Sequence, residues 1–260
     1  MKTPMRMDKA GTAGSMEIPA ITIDALTVRY GDVLALQSVG MTLQQGRICG
    51  LIGVNGSGKS TLFKSIMGLV TPSSGTVELF GKSPRSSRKN NLLTYVPQSE
   101  DVDWTFPVSV HDVVMMGRYG HLGPMRRPHA ADRDAVEYAL DRVGLTELAR
   151  RQIGELSGGQ RKRAFVARGI AQQAKLMLLD EPFAGVDRTS EATMTGLLQQ
   201  LRGEGKTILI STHDLAGIPA FCDEALLLHQ RVLAHGDPED VLTTDNLARA
   251  FGEGASNGRA

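Results

Sequence analysis

A short apolar run followed at once by a glycine-rich loop constrains the fold of this chain more than any other feature. The run is ICGLI and the loop is GVNGSGKS, residues 53–60. The continuous apolar run predicts a strand that is covered on both faces. The residues from Lys59 to about Met67 predict a helix that ends at Gly68 in a C′ position. A strand, a glycine-rich loop and a helix in this order indicate a phosphate-binding loop.

The residue types in this loop match the chemistry of binding phosphate. Gly56 and Gly58 allow the backbone to curl, so that its N–H groups and the positive end of the following helix face the phosphate oxygens. Lys59 is placed to reach the β and γ oxygens, and the Ser60 hydroxyl is placed to ligate Mg²⁺.

The rest of the chain predicts an α/β fold. Short β segments with tight turns fill residues 21–52, and an antiparallel β subdomain is expected at the N-terminal end, with Ile21, Ile23, Ala25 and Leu26 on one side of the first strand. Because helical patterns separate most of the later strands, we expect a largely parallel core sheet. The later strands are GTVELF, LLTYV, KLMLLD, TILIS and EALLLH.

Residues 103–155 differ in character and predict a helical subdomain inserted into the α/β core. The segment shows no strand pattern, and in ADRDAVEYALDRVG the apolar residues recur at helical spacing. We expect one domain over residues 19–251, between flexible segments at 1–18 and 252–260 that are rich in small and polar residues. The residues expected on the apolar face of the helix are Ala135, Val136, Ala139, Leu140 and Val143.

A second acidic site follows the apolar run in KLMLLDEP. Asp180 ends this predicted strand where it can face the metal ion, and Glu181 follows as a carboxylate that can orient or deprotonate an attacking water. Strand ends often carry acids, so the pattern gains its meaning from its pairing with the phosphate-binding loop.

The segment LSGGQRKRAFVARGIAQQAKLMLLDEP resembles the ATP-binding cassette (ABC) family, whose LSGGQ signature stands unaltered at residues 156–160. The similarity runs from about Ile21 to Ala250, with the nucleotide motifs in the family's order. It implies a P-loop ATPase core, ATP and Mg²⁺ as cofactors, and a head-to-tail homodimer. In that dimer Ser157 and Gly159 of one subunit would close over ATP that is held by the other.

The resemblance also implies individual roles. Tyr30 would stack on adenine, although it could instead pack on the sheet; Gln98 would meet Mg²⁺ and water; and His213 would contact the γ-phosphate, although it could instead be a core imidazole. The expected catalytic residues are Lys59, Glu181 and His213, and the expected Mg²⁺ ligands are Ser60, Gln98 and Asp180. The expected ATP-binding residues are Tyr30, Gly53, Asn55, Gly56, Ser57, Gly58, Lys59, Ser60, Thr61, Gln98, Ser157, Gly159, Gln160 and Asp187.

Two classes of ABC ATPase remain open at this point. One is the subunit of a transporter that docks on separate permease subunits at the cytoplasmic face of the plasma membrane, and the other is a soluble ATPase that acts on nucleic acid or ribosomes. The chain has no run of about 18 apolar residues that could cross a bilayer. Its 29 basic and 28 acidic residues give a net charge of +1, which offers no general attraction to nucleic acid. We therefore expect a transporter subunit with no nucleic-acid partner.

The substrate class is indicated by residues 96–128, VPQSEDVDWTFPVSVHDVVMMGRYGHLGPMRRP, which resemble the importers of metal ions, particularly those for manganese and iron. Such systems also use an extracytoplasmic metal-binding protein. Zinc import and haem or siderophore import remain alternatives, because the ATPase does not touch the transported ion.

Three further residues complete the expectations. Trp104 is expected to be a surface contact for the permease, with Glu100, Asp101 and Asp103 around it, although it could instead pack locally within the helical insert. Cys49 and Cys222 lie far apart without metal-ligand spacing and are expected to be buried, inert thiols. No histidine is expected to bind a metal ion.

Overall fold

The computed structural model describes residues 18–98, 106–123 and 125–252. Trp104 and its acidic neighbours, like the two terminal segments except Ile18 and Gly252, lie outside these ranges, so the predictions made for them stay predictions. No helix of the described residues is both long enough and apolar enough to cross a membrane.

Nine strands form two sheets in the described part of the chain. A three-stranded antiparallel sheet has the order β2-β1-β4, and a six-stranded sheet has the order β5-β6-β7-β3-β8-β9. Strands β5, β6, β7, β3 and β8 run parallel, and β9 adds an antiparallel edge. The strands are β1 Ile21–Tyr30, β2 Val33–Leu43, β3 Ile48–Ile52, β4 Ser74–Leu79, β5 Leu93–Val96, β6 Leu176–Asp180, β7 Thr207–Ser211, β8 Glu224–His229 and β9 Arg231–Gly236.

The helices connect and flank these strands. They are α1 Lys59–Ile66, α2 Pro84–Lys89, α3 Val110–Met115, α4 Ala130–Arg142, α5 Gly158–Ala171, α6 Arg188–Gly203, α7 Ile218–Phe221, α8 Pro238–Val241 and α9 Thr244–Phe251. Helix α1 ends as predicted, because Met67 is its C-cap and Gly68 follows with a φ of +63°. The α/β fold class with an antiparallel β subdomain is thus confirmed. The segment GTVELF, predicted among the core strands, was placed wrongly, because as β4 it pairs with β1 in the antiparallel sheet.

One detail of β1 was predicted wrongly. Ala25 was expected on the buried side with Ile21 and Ile23, but it is exposed and has a φ of +45°. The pairing of β1 with β2 shifts register at this point, which is the behaviour of a β-bulge. The bulge turns Leu26 and Val28 to the buried face in its place.

The described residues between 106 and 155 contain helices, short 3₁₀ turns and one isolated β-bridge, but no strand. Of the predicted apolar face of α4, Ala135 is half-buried and the other members are buried. This face joins the same apolar cluster as one side of the parallel sheet, with α3 and α5 between them. The boundaries of the helical subdomain at 103 and 155 stay a prediction.

A buried ion pair ties this helical segment to α5. The Arg118 Nε atom lies 2.9 Å from Asp132 Oδ1 on α4, and Arg118 Nη1 donates to the carbonyl of Ala171 at 2.8 Å. The backbone N–H of His129, and more weakly Arg118, lower the pKa of the Asp132 carboxyl. A buried pair that is also hydrogen-bonded fixes geometry, so Arg118 holds α4 against the end of α5.

Candidate nucleotide-binding site

An open cleft of about 540 Å³ lies at the carboxyl ends of the parallel strands. Residues after the strand ends of β3, β6 and β7 meet here, because the carboxyl ends of parallel strands share one edge of the sheet. The cleft brings together most of the predicted site residues. It is lined by Val33, Leu34, Ala35, Val54, Asn55, Gly56, Gly58, Lys59, Ser60, Thr61, Gln98, Asp180, Glu181, His213 and Gln230.

The glycines of the loop are required by its backbone and by close packing. Gly58 is the N-cap of α1 with a φ of +102°, and a Cβ there would lie 2.6 Å from Leu36 Cδ2. A Cβ on Gly53 would overlap the Leu228 carbonyl oxygen and the Ser57 Oγ. These positions therefore accept only glycine without a shift of the loop.

Replacing Gly53 by alanine should disturb this loop. The added Cβ meets backbone oxygen of β8, which cannot move aside as a flexible side chain can. We expect a loss of about 1–3 kcal/mol in the free energy of unfolding and weaker ATP binding, measured by chemical denaturation and by nucleotide titration.

The matched control for this variant is Gly196→Ala in α6, where an added Cβ meets no described atom within 4 Å. A helical Gly→Ala change is expected to leave stability unchanged or to raise it by about 0.5–1 kcal/mol. Parent-like stability and ATP affinity in Gly53→Ala would contradict the loop geometry.

Lys59 forms hydrogen bonds within the phosphate-binding loop. Its Nζ donates to the carbonyl oxygens of Gly53 at 2.6 Å and Val54 at 3.3 Å. Burial lowers the pKa of Lys59, and the charges of Glu181 and Asp180 oppose that shift. The ammonium is thus held at the mouth of the loop, on the side of the acidic pair.

Asp180 is fixed by two hydroxyl groups from neighbouring strands. Its Oδ1 accepts from Ser211 Oγ at 2.6 Å, and its Oδ2 accepts from Tyr95 Oη at 3.1 Å. Ser60 and Gln98 line the same cleft. A hydroxyl, an amide oxygen and a carboxylate are the hard oxygen ligands that Mg²⁺ prefers, so this set of donors fits the ion.

Glu181 is held by two of the other predicted site residues. Gln98 Nε2 donates to its Oε2 at 3.1 Å, and His213 Nε2 lies against its Oε1. Glu181 has a φ of +48°, which is uncommon for a residue with a side chain. Strained backbone of this kind persists where the surrounding contacts impose it, as at functional sites.

The backbone around Glu181 is also restrained. Its N–H donates to Ser211 Oγ at 2.9 Å, so one serine holds both acidic residues. The buried Lys162 of α5 donates to the carbonyl oxygens of Glu181 and Ala184, and burial lowers the pKa of this lysine. This arrangement can present a carboxylate at a fixed point beside a phosphate-binding loop.

The predicted signature residues do not line this cleft. Ser157 is the N-cap of α5, where its Oγ accepts from the Gln160 N–H at 3.3 Å and Gln160 Oε1 accepts from the Ser157 N–H at 3.0 Å. Gly159 packs against α6, where a Cβ would lie 3.1 Å from Ser190. Their contact with ATP stays a prediction.

Asp187 and Tyr30 also stand apart from the cleft. Asp187 is the N-cap of α6, and the Ser190 N–H lowers the pKa of its carboxyl by donating to it at 3.0 Å. Tyr30 is 47% exposed at the end of β1, opposite Val33. Val33, which pairs with Tyr30 in the β1–β2 hairpin, lines the cleft instead.

Sequence reasoning missed two groups of cleft residues. Residues 33–35 at the start of β2 and Gln230 after β8 line the cleft without belonging to a motif. The backbone N–H of Gln230 donates to the Ser57 carbonyl at 2.7 Å, and its carbonyl accepts from Gln37. These residues reach the cleft because distant segments of the chain pack together. The sequence carries no local signal for such packing.

The comparisons with known proteins show the family of this chain. The family model described as ABC transporter matches residues 36–184. The chain is 54% identical over 233 residues to the manganese transport system ATP-binding protein MntA of Synechocystis sp., covering 89% of this chain and 90% of the relative. It is 54% identical over 235 residues to the chelated iron transport system membrane protein YfeB of Yersinia pestis, covering 90% of this chain and 79% of that protein.

A solved structure adds a likeness in three dimensions. The chain matches a chain from a solved ABC transporter structure in an inward-facing conformation, with a TM-score of 0.80 and 32% identity. The match covers 90% of this chain and 89% of that one. This chain belongs to the ABC transporter family and is one of its ATP-binding, ATP-hydrolysing subunits.

Proposed function

We propose that the chain energises an importer of metal ions, with manganese, iron or both as its substrates, by hydrolysing ATP in the described cleft. The observation that carries the chemistry is the restrained Glu181, which lies between Gln98 and His213 beside the phosphate-binding loop. The substrate class is supported by the relatives, which are named for manganese and for chelated iron.

Each residue of the cleft has a defined part in this proposal. Lys59 and the loop amides bind the β- and γ-phosphates. Ser60, Gln98 and Asp180 would hold Mg²⁺, which would neutralise charge on the phosphate oxygens. Glu181 accepts the proton of the attacking water, and His213 keeps the Glu181 carboxylate in position and contacts the γ-phosphate.

The residues outside the cleft support a head-to-tail homodimer. Ser157, Gly159 and Gln160 lie at the amino end of α5, whose helix dipole suits the phosphates of a second subunit's ATP. Asp187, at the amino end of α6, would belong to the loop that crosses the dimer interface. We propose that ATP binding closes this dimer and that hydrolysis reopens it. The helical subdomain would move with Gln98 as its pivot.

The partners follow from this role. The dimer would dock on integral membrane permease subunits at the cytoplasmic face of the plasma membrane, and an extracytoplasmic metal-binding protein would deliver the ion. Zinc import is the second candidate, since the zinc transport system ATP-binding protein TroB of Treponema pallidum is 43% identical over 90% of this chain.

Uptake of radiolabelled metal ions tests the substrate. Deleting the gene should abolish uptake of manganese or iron, and the parent gene should restore it, whereas a Glu181→Gln copy should not. Zinc uptake in the same strains is the control. Unchanged uptake of manganese and iron, with loss of zinc or of another nutrient, would reject the metal assignment, and ATPase stimulation by nucleic acid would reject the transporter class.

A further inference from the structure

A second group of metal-ligating side chains lies on the core sheet, away from the nucleotide cleft. It consists of Cys49 on β3, Glu224 on β8 and His235 on β9, whose ligand atoms all lie within 4.8 Å of one another. None of the three lines the cleft. Cys49 is the second residue of β3, whereas the phosphate-binding loop follows the other end of that strand.

Strand register places the three side chains on one face of the sheet. Cys49 pairs with Glu224, and His235 pairs with Leu226, which is two residues beyond Glu224. Residues two apart in a strand point to the same side. Cys49 and Leu226 both belong to the apolar cluster that this face shares with the antiparallel sheet. The fold therefore assembles ligands that are far apart in the sequence.

The burial of the group also suits a bound ion. Cys49 is fully buried, and the Glu224 and His235 side chains are 10% and 20% exposed. His235 Nε2 lies 2.8 Å from Glu224 Oε2, a hydrogen bond that an ion bound between the two side chains would replace. Arg47 Nη1 lies 3.8 Å from the other Glu224 oxygen, and the Arg47 side chain is 52% exposed.

We propose that Cys49, Glu224 and His235 form a binding site for a divalent transition-metal ion of the Zn²⁺ class. A thiolate, an imidazole and a carboxylate are the ligand types of tetrahedral Zn²⁺ sites, and three protein ligands leave a fourth position for water. A thiolate disfavours the harder Mn²⁺. On binding, the Cys49 thiol gives its proton to solvent and its sulfur ligates the ion. The ion would fasten β3, which carries the phosphate-binding loop, to β8 and β9.

Metal titration of the purified full chain tests the site. After removal of metal by a chelator, we expect one Zn²⁺ per chain, measured in competition with a chromogenic zinc indicator, and a thiolate-to-cobalt charge-transfer band when Co²⁺ is used instead. Mn²⁺ should compete weakly. His235→Gln and Cys49→Ser should each weaken Zn²⁺ binding by at least about tenfold, and Zn²⁺ should raise the unfolding temperature of the parent but not of His235→Gln.

Three control variants separate this site from other sources of Zn²⁺ binding. Cys222→Ser removes the other buried thiol, His121→Gln removes an exposed imidazole, and His213→Ala removes the imidazole of the nucleotide cleft. All three variants should still bind one Zn²⁺ per chain as tightly as the parent does. With Co²⁺ they should still show the thiolate-to-cobalt charge-transfer band. No bound Zn²⁺ in the parent, equal binding in His235→Gln, or loss of binding in a control would overturn the proposal. Because His235 is partly exposed on the edge strand, its variant keeps the test decisive even if Cys49→Ser fails to fold.

Discussion

Replacing Glu181 by glutamine is expected to slow ATP hydrolysis by about 10²–10⁴-fold, which is the usual contribution of a general base, and to leave ATP binding intact. Glutamine has the same shape and keeps an oxygen that can accept from Gln98 Nε2, which now donates at 3.1 Å. It cannot take a proton from water. Steady-state turnover measured by phosphate release, together with equilibrium binding of ATP, separates the two effects.

The same variant also reports on the dimer. If hydrolysis reopens a closed dimer, Glu181→Gln with ATP and Mg²⁺ should elute as a dimer on size exclusion, whereas the parent should return to its starting state as ATP is consumed. Glu147→Gln is the matched control, because it removes the same charge from an exposed 3₁₀ turn outside the cleft. Parent-like turnover in Glu181→Gln would show that another group activates water.

The cleft could be predicted from the sequence because its parts follow strand ends. Gly53 and His213 come directly or closely after an apolar strand and Asp180 is the last residue of one, and parallel strands bring such residues to one edge. Local order along the chain was therefore enough to predict which side chains meet.

Other features depend on register and packing, which the sequence does not state. The bulge at Ala25 inverts the expected alternation of β1, and the edge strand β9 has a half-buried pattern without clear alternation. Cys49, Glu224 and His235 show no ligand spacing along the chain. They meet because β8 pairs with both β3 and β9, and only the strand order reveals this.

Replacing Lys59 by alanine is expected to weaken ATP binding by about ten- to a hundredfold. A hydrogen bond to a charged group contributes about 1.5–3 kcal/mol, and each 1.4 kcal/mol corresponds to about a factor of ten. The Lys59 Nζ also donates to the Gly53 and Val54 carbonyl oxygens. Its removal therefore takes away the group that binds the phosphates and also the hydrogen bonds that stabilise the loop. Nucleotide titration followed by calorimetry or by a fluorescent ATP analogue measures the affinity.

The control for this variant lies on the same helix. Lys64 is exposed in the last turn of α1 and does not line the cleft, so Lys64→Ala removes an equal charge without touching the loop. Its ATP affinity and turnover should equal those of the parent. Circular dichroism and thermal unfolding of both variants distinguish a lost ligand from a lost fold.

If Lys59→Ala folds and still binds and hydrolyses ATP as the parent does, residues 53–60 are a glycine-rich turn and the nucleotide lies elsewhere. Weaker ATP binding in Lys59→Ala together with normal binding in Lys64→Ala would place the β- and γ-phosphates at the mouth of this loop. There the Lys59 ammonium can reach the phosphates as well as the Gly53 and Val54 carbonyl oxygens.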